Sequence, residues 1–155
     1  MLEGILMAYK DDTLATPLLD ESTFFLMGVA YRRFRNDVQE QLLSAHDITT
    51  EMQKALEILS YHTHLPQQVL ADKLMRERST IKRMVDNMLK RDLVSIIPHP
   101  TNQKVKLIQL TSKGREVHQS GNTIVTTIQS QWLNTLDDNL EAQLKSALIS
   151  LIEKN

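Results

Sequence analysis

Residues 65–111, LPQQVLADKLMRERSTIKRMVDNMLKRDLVSIIPHPTNQKVKLIQLT, read as two short helices followed by a hairpin, and the rest of the chain is understood from them. In the second helix Ile81, Met84, Val85, Met88 and Leu89 recur at steps of three and four, which makes one apolar stripe that must face a core. The other side carries Arg78, Ser79, Thr80, Lys82, Arg83 and Asn87. Cations, hydroxyls and an amide in that mixture can bond phosphate oxygens and the edges of bases in a major groove. They point to double-stranded DNA as the partner. A basic helix face taken alone is as readily a solvated surface, so the distribution of charge has to decide.

Residues 72–106 hold nine Lys or Arg against four Asp or Glu, a net of +5, while the whole chain stands at −1; everything outside that window therefore sums to −6. Basic charge is concentrated where the reading helix lies. A localised patch of this kind is the footprint of a polyanionic partner.

Leu70-Ala71-Asp72-Lys73-Leu74, then Arg78-Ser79-Thr80-Ile81-Lys82-Arg83-Met84-Val85-Asp86, resemble the two helices of the helix-turn-helix in the MarR family of bacterial transcriptional regulators. Leu93-Val94 looks like that family's first wing strand, His99 to Lys104 its wing tip, and Leu110-Thr111-Ser112-Lys113-Gly114-Arg115 the entry into its long dimerisation helix. The order and spacing of these segments carry the resemblance, which covers nearly the whole chain. It implies a mainly α fold with a small β-hairpin wing, a winged helix-turn-helix with long N- and C-terminal dimerisation helices. Within a single domain over 1–155, residues 20–45 and 112–154 would dimerise and 47–111 would bind DNA. The function implied is a homodimeric repressor on a pseudo-palindromic operator. Gln103 and Lys104 would join the reading residues as donors to the minor groove or to phosphates. Small aromatic acids often act as effectors in this family, and Tyr31, Arg35, His46, His62 and His118 are the polar groups that would line such a site.

The chain departs from the family pattern in three places. Met75 stands where the turn between the two helices usually starts with glycine, and Asp92 replaces another usual glycine at the end of the reading helix. Aspartate tolerates left-handed backbone better than most residues. At the wing tip Asn102-Gln103-Lys104 replaces an Asp-Arg-Arg element, which removes a steadying charge pair and the arginine normally offered to a narrow minor groove.

Length and composition agree with one cooperative domain: 155 residues, 41% hydrophobic, with only four Gly and four Pro. No run of about 18 apolar residues and no signal-peptide order is present, so a soluble cytoplasmic protein without a membrane partner is expected. The absence of cysteine excludes disulfides, thiolate metal sites and thiol redox sensing, and with them the peroxide-sensing branch of the family.

Residues 1–17 read as an arm with an apolar start. From Asp20 the pattern turns helical, with Phe24, Met27, Tyr31, Phe34, Val38 and Leu42 in one stripe and Phe25 and Val29 beside it. Such a broad face is ordinarily intramolecular core; the resemblance adds a share in a dimer interface. Another helix starts near Thr49 or Thr50, where Thr50 with Gln53 fits a capping box, and Met52, Ala55, Leu56 and Leu59 face inward. Pro66 opens the next helix, packed by Leu70, Ala71 and Leu74. Val94, Ile96 and Pro98 lead into the hairpin tip, and Val105, Leu107 and Gln109 return from it. Thr111 is an N-cap. Beyond it, Val117, Ile124, Ile128, Trp132 and Leu136 form one stripe, and Leu140, Leu144, Ala147, Leu148 and Leu151 another.

Five histidines, at 46, 62, 64, 99 and 118, raise the question of a metal, but His62 and His64 point to different sides and His118 has no histidine one turn away. No metal and no cofactor are expected. Without a cysteine, a serine in a glycine elbow or a phosphate-cradling glycine loop, an enzyme is not expected either. The competing class is a winged-helix protein-interaction module whose basic face meets an acidic partner without sequence-specific DNA binding.

Overall fold

The computed structural model describes residues 17–102 and 104–154. The arm expected over residues 1–17, apart from Pro17, and the wing residue Gln103 lie outside the described residues. The chain divides into two compact units between Asn36 and Asp37.

In the first unit a single turn, α1 (Pro17–Asp20), precedes the start of the long helix α2 (Thr23–His46). Helical structure does not run on from Asp20 as the periodicity suggests. Ser22 breaks it and starts it anew, its hydroxyl accepting from the Phe25 N–H at 3.3 Å. Phe24 is 71% and Tyr31 51% exposed, so the upper part of the α2 stripe is not intramolecular core.

The second unit begins inside α2, where Val38 and Leu42 are buried. It continues through α3 (Thr50–Ser60), β1 (Leu65–Pro66), α4 (Gln67–Leu74), α5 (Arg78–Lys90), β2 (Val94–Pro98), β3 (Lys106–Leu110), α6 (Ser112–Leu133) and α7 (Asp138–Glu153). The strands form one antiparallel sheet in the order β1-β3-β2, with Leu65 opposite Ile108, Val94 opposite Leu110 and Pro98 opposite Lys106. Its core joins Met52, Ala55, Leu56 and Leu59 of α3 with Leu70 and Ala71 of α4, Ile81, Val85 and Met88 of α5, and Leu107 and Ile108 of β3.

Local chemistry explains most boundaries and corrects three expectations. Thr49, in extended backbone, caps α3 by accepting from the Met52 N–H at 3.2 Å. Thr50 is already helical, and its N–H and hydroxyl both donate to Gln39 Oε1. Gln53 is buried and donates instead to the His118 carbonyl of α6 at 3.1 Å, so the Thr50–Gln53 capping box does not form. Pro66 pairs with Leu107 and sits just before α4 rather than inside its first turn. Thr111 caps α6 as expected, accepting from the Gly114 N–H at 2.9 Å. That helix ends at Leu133, short of Leu136, and Asp137 caps α7 by accepting from the Leu140 N–H. No residue of α7 is buried. Among the described residues no helix is long and apolar enough to cross a membrane.

Candidate nucleic-acid interface

Helix α5 is positioned by the turn that precedes it. Met75 takes left-handed backbone, φ 51° and ψ 49°. Its N–H donates to the Asp72 carbonyl at 3.1 Å, and the Arg76 N–H reaches back to the Ala71 carbonyl at 3.0 Å. These bonds satisfy carbonyls that the end of α4 leaves open and reverse the chain sharply. A left-handed turn that usually favours glycine is made here without one. Arg76 then pairs with Glu51 of α3 at 3.3 Å, which ties the turn to the first helix of the lobe.

Helix α5 buries Ile81, Met84, Val85 and Met88, with Leu89 half-buried, so its orientation on the core is fixed by the stripe. Arg78, Ser79, Thr80, Lys82 and Arg83 are exposed and Asn87 is half-buried at the edge of the same face. Of the six candidates on this helix, five are therefore exposed and one is half-buried. Lys82 is engaged there: its Nζ donates to Asp86 Oδ2 at 2.9 Å.

The far end of α5 is held by a cluster that sequence reasoning missed. Asp92 is left-handed at φ 57°, as its chemistry allows. The Arg91 guanidinium donates to both the carbonyl and the carboxylate of Asp47, each at 3.1 Å. Lys113 Nζ donates to the Arg91 carbonyl at 2.8 Å, and the Thr111 hydroxyl to the Asp92 carbonyl at 2.6 Å. A basic residue just past the last turn is the only local signal; the partners lie far away in sequence.

At the wing tip the neutral Asn102 supplies the order that a charge pair would have given. Its Oδ1 accepts from the Lys104 N–H at 3.1 Å and its carbonyl from the Val105 N–H at 2.9 Å. Val105 consequently belongs to the turn and not to β3. Lys104 is exposed beside it.

The five residues expected around an effector are only partly brought together. His62 and His118 line one groove of about 470 Å³ with Ser60, Arg115 and Asn122. His118 is hydrogen-bonded to Glu57. His46 is bonded to the Ser120 hydroxyl at 2.8 Å and does not line that groove. Tyr31 and Arg35 belong to the first unit's part of α2, away from this groove in the sequence, and Tyr31 is exposed. Arg115, a cation in the groove, carries no signal in the sequence that would single it out. Among the described residues no three His, Cys, Asp or Glu are grouped so as to hold a metal ion.

Two helices joined by a tight turn, followed by an antiparallel hairpin and framed by long helices, define a winged helix-turn-helix protein. Residues 48–106 match the MarR family. Over 91 residues the chain is 28% identical to the HTH-type transcriptional regulator MhqR of Bacillus subtilis (strain 168), across 59% of this chain and 62% of that one. It thus spans less than two thirds of that relative's length. A solved mutant of E. coli MarR complexed with operator DNA superposes with a TM-score of 0.76 at 20% identity, over 81% of this chain and 90% of that one. The S. aureus MepR–DNA complex gives 0.79 at 20%, over 86% and 98%. A probable transcriptional regulator from Pseudomonas aeruginosa gives 0.78 at 24%, over 86% and 98%. The likeness to the MarR family is thus carried by residues 48–106.

Proposed function

We propose that this chain is a sequence-specific double-stranded DNA-binding transcriptional regulator, acting in the cytoplasm as a homodimer on a pseudo-palindromic operator, and as a repressor. Residues 47–111 form the DNA-binding lobe in this reading, and the helices within 20–45 and 112–154 dimerise. The role is binding, with no catalytic step. One observation carries it: α5 buries its apolar stripe and presents Arg78, Ser79, Thr80, Lys82 and Arg83 together on an exposed face. That face has the donors for phosphates near its cations and for base edges near its N-terminus, the end a recognition helix inserts. Two of the similar regulators were solved on DNA. Regulation by a small aromatic acid fits the groove of His62, His118 and Arg115, where a guanidinium offers a carboxylate a forked donor.

Selection from a random duplex pool, followed by salt titration, tests the reading. A dimeric reader enriches an inverted repeat, and its affinity falls steeply as salt rises because bound counterions are released. Arg83→Ala lowers affinity evenly across sequences and reduces the salt slope by about one, whereas Thr80→Ala costs about 1–3 kcal/mol at one base position. A pool that yields no preferred sequence would favour a protein-docking module instead.

A further inference from the structure

Asp86 is the single acidic residue of α5, among the cations Arg78, Lys82, Arg83 and Lys90. It follows Lys82 by four residues and Arg83 by three, which sets it on the outward face, away from Ile81, Met84, Val85 and Met88. Lys82 and Asp86 form an ion pair at 2.9 Å with side chains 69% and 48% exposed. Exposed pairs at this spacing contribute little to helix stability, and a cation preceding the acid is the weaker order on a helix. Stability of the helix therefore gives little reason for a carboxylate in the middle of a polyanion-binding surface.

Its effect on binding is larger. Lys82 can reach a phosphate only by leaving Asp86, and the carboxylate then faces the duplex without its partner, like charge against like. We propose that Asp86 is a specificity-determining residue that holds Lys82 back from the phosphates of unselected DNA. This rests on the DNA-reading function proposed above. On a selected site the base contacts seat the helix in the groove, where the amino group of a cytosine is a donor that a carboxylate accepts. The exchange releases Lys82 to a phosphate. On other sequences no such donor is in register, so Lys82 remains neutralised and the sequence-independent part of the affinity stays low. Asp86 thus widens the gap between operator and bulk DNA by weakening the second.

The test uses the full chain, wild type and Asp86→Asn, titrated by fluorescence anisotropy across salt on two duplexes: the one wild type selects from a random pool, and a scramble of it. Asp86→Asn is expected to bind the scramble roughly three- to tenfold more tightly at low salt, with a slope steeper by about 0.9, one further phosphate contact. Its preference for the selected duplex falls correspondingly. Introduced into a Lys82→Ala background, the same substitution should relieve only the repulsion between carboxylate and duplex, a smaller gain in affinity without the further phosphate contact. Equal slope and equal preference for wild type and Asp86→Asn overturn the inference while leaving the DNA-reading function standing. So does a gain of undiminished size and slope without Lys82. If wild type discriminates no duplex from its scramble, the DNA-reading function fails, and the inference with it.

Discussion

Gly121 of α6 lies against the side chain of Gln53 of α3 so closely that a Cβ at Gly121 would overlap Gln53 Oε1 and Cδ. The approach is what lets the buried Gln53 amide reach the His118 carbonyl. Gly121→Ala gains helix propensity of about 1 kcal/mol, but it displaces a buried amide and overpacks the contact, at about 1–3 kcal/mol plus a lost hydrogen bond of about 1 kcal/mol. The expected net is destabilisation by about 1–3 kcal/mol in urea unfolding. Shortening the partner as well should recover part of it, so Gly121→Ala/Gln53→Ala is predicted to be less than additive. Strict additivity would show that the two residues do not share this contact.

Gly114 presents the harder case. A Cβ there would meet the Leu93 carbonyl oxygen, a backbone atom that also accepts from the Thr111 N–H at 3.2 Å. A side chain can swing aside; this carbonyl cannot without breaking the junction of wing and helix. Gly114→Ala is expected to be more destabilising than Gly121→Ala in the same denaturant titration, and the reverse ranking would refute the argument.

Met75 is 88% exposed and left-handed. A Cβ in that conformation costs about 1–2 kcal/mol, while glycine loses about 0.4–1 kcal/mol through the freedom it adds to the unfolded chain. Met75→Gly should therefore stabilise by about 0.5–1 kcal/mol, read as a raised midpoint of thermal unfolding. A lowered midpoint would mean that the exposed thioether makes a contact of its own.

The wing is predicted to act through charge more than through sequence. Gln103→Ala with Lys104→Ala should flatten the salt slope by about 0.9, the loss of one cation, and leave the preferred operator unchanged. Asn102→Ala removes the acceptor that holds the Lys104 N–H and should weaken binding without altering the order of preferred sites. Loss of operator preference in either variant would assign sequence reading to the tip.

Helix α7 leaves Leu140, Leu144, Leu151 and Ile152 between 43% and 75% exposed, an apolar face that one chain does not cover. Light scattering at micromolar concentration should return twice the chain mass, and Leu144→Glu should shift it toward the single-chain mass. A monomer throughout would leave that face unexplained by self-association.

What is legible in the sequence is what neighbours three or four residues apart dictate. The α5 stripe, the Thr111 cap and the left-handed tolerance of Asp92 are local, and all stand in the structure. The choice between Thr49 and Thr50 is not local, because Gln39, 11 residues before Thr50, engages it. Gln53 reads as part of a cap because its true partner lies 65 residues away on a helix whose approach depends on Gly121. Arg91 registers in the sequence only as charge, though its partner Asp47 is 44 residues distant and fixes the end of α5. Periodicity marks the face of α2 as apolar but does not say whether its own chain covers Phe24 and Tyr31. At the wing the loss of Asp-Arg-Arg suggests a looser tip; an amide acceptor on Asn102 does the ordering without charge.

The end of α5, the root of the wing and the first turn of α6 meet in one knot: Lys113 on the Arg91 carbonyl, Thr111 on that of Asp92, and Gly114 flush against Leu93. Such a joint cannot pivot, because any rotation of α6 about its start would have to break the bond to Arg91 and drive backbone into backbone. Helix α5 is therefore geared to the opening turn of α6 as a lever is to its shaft.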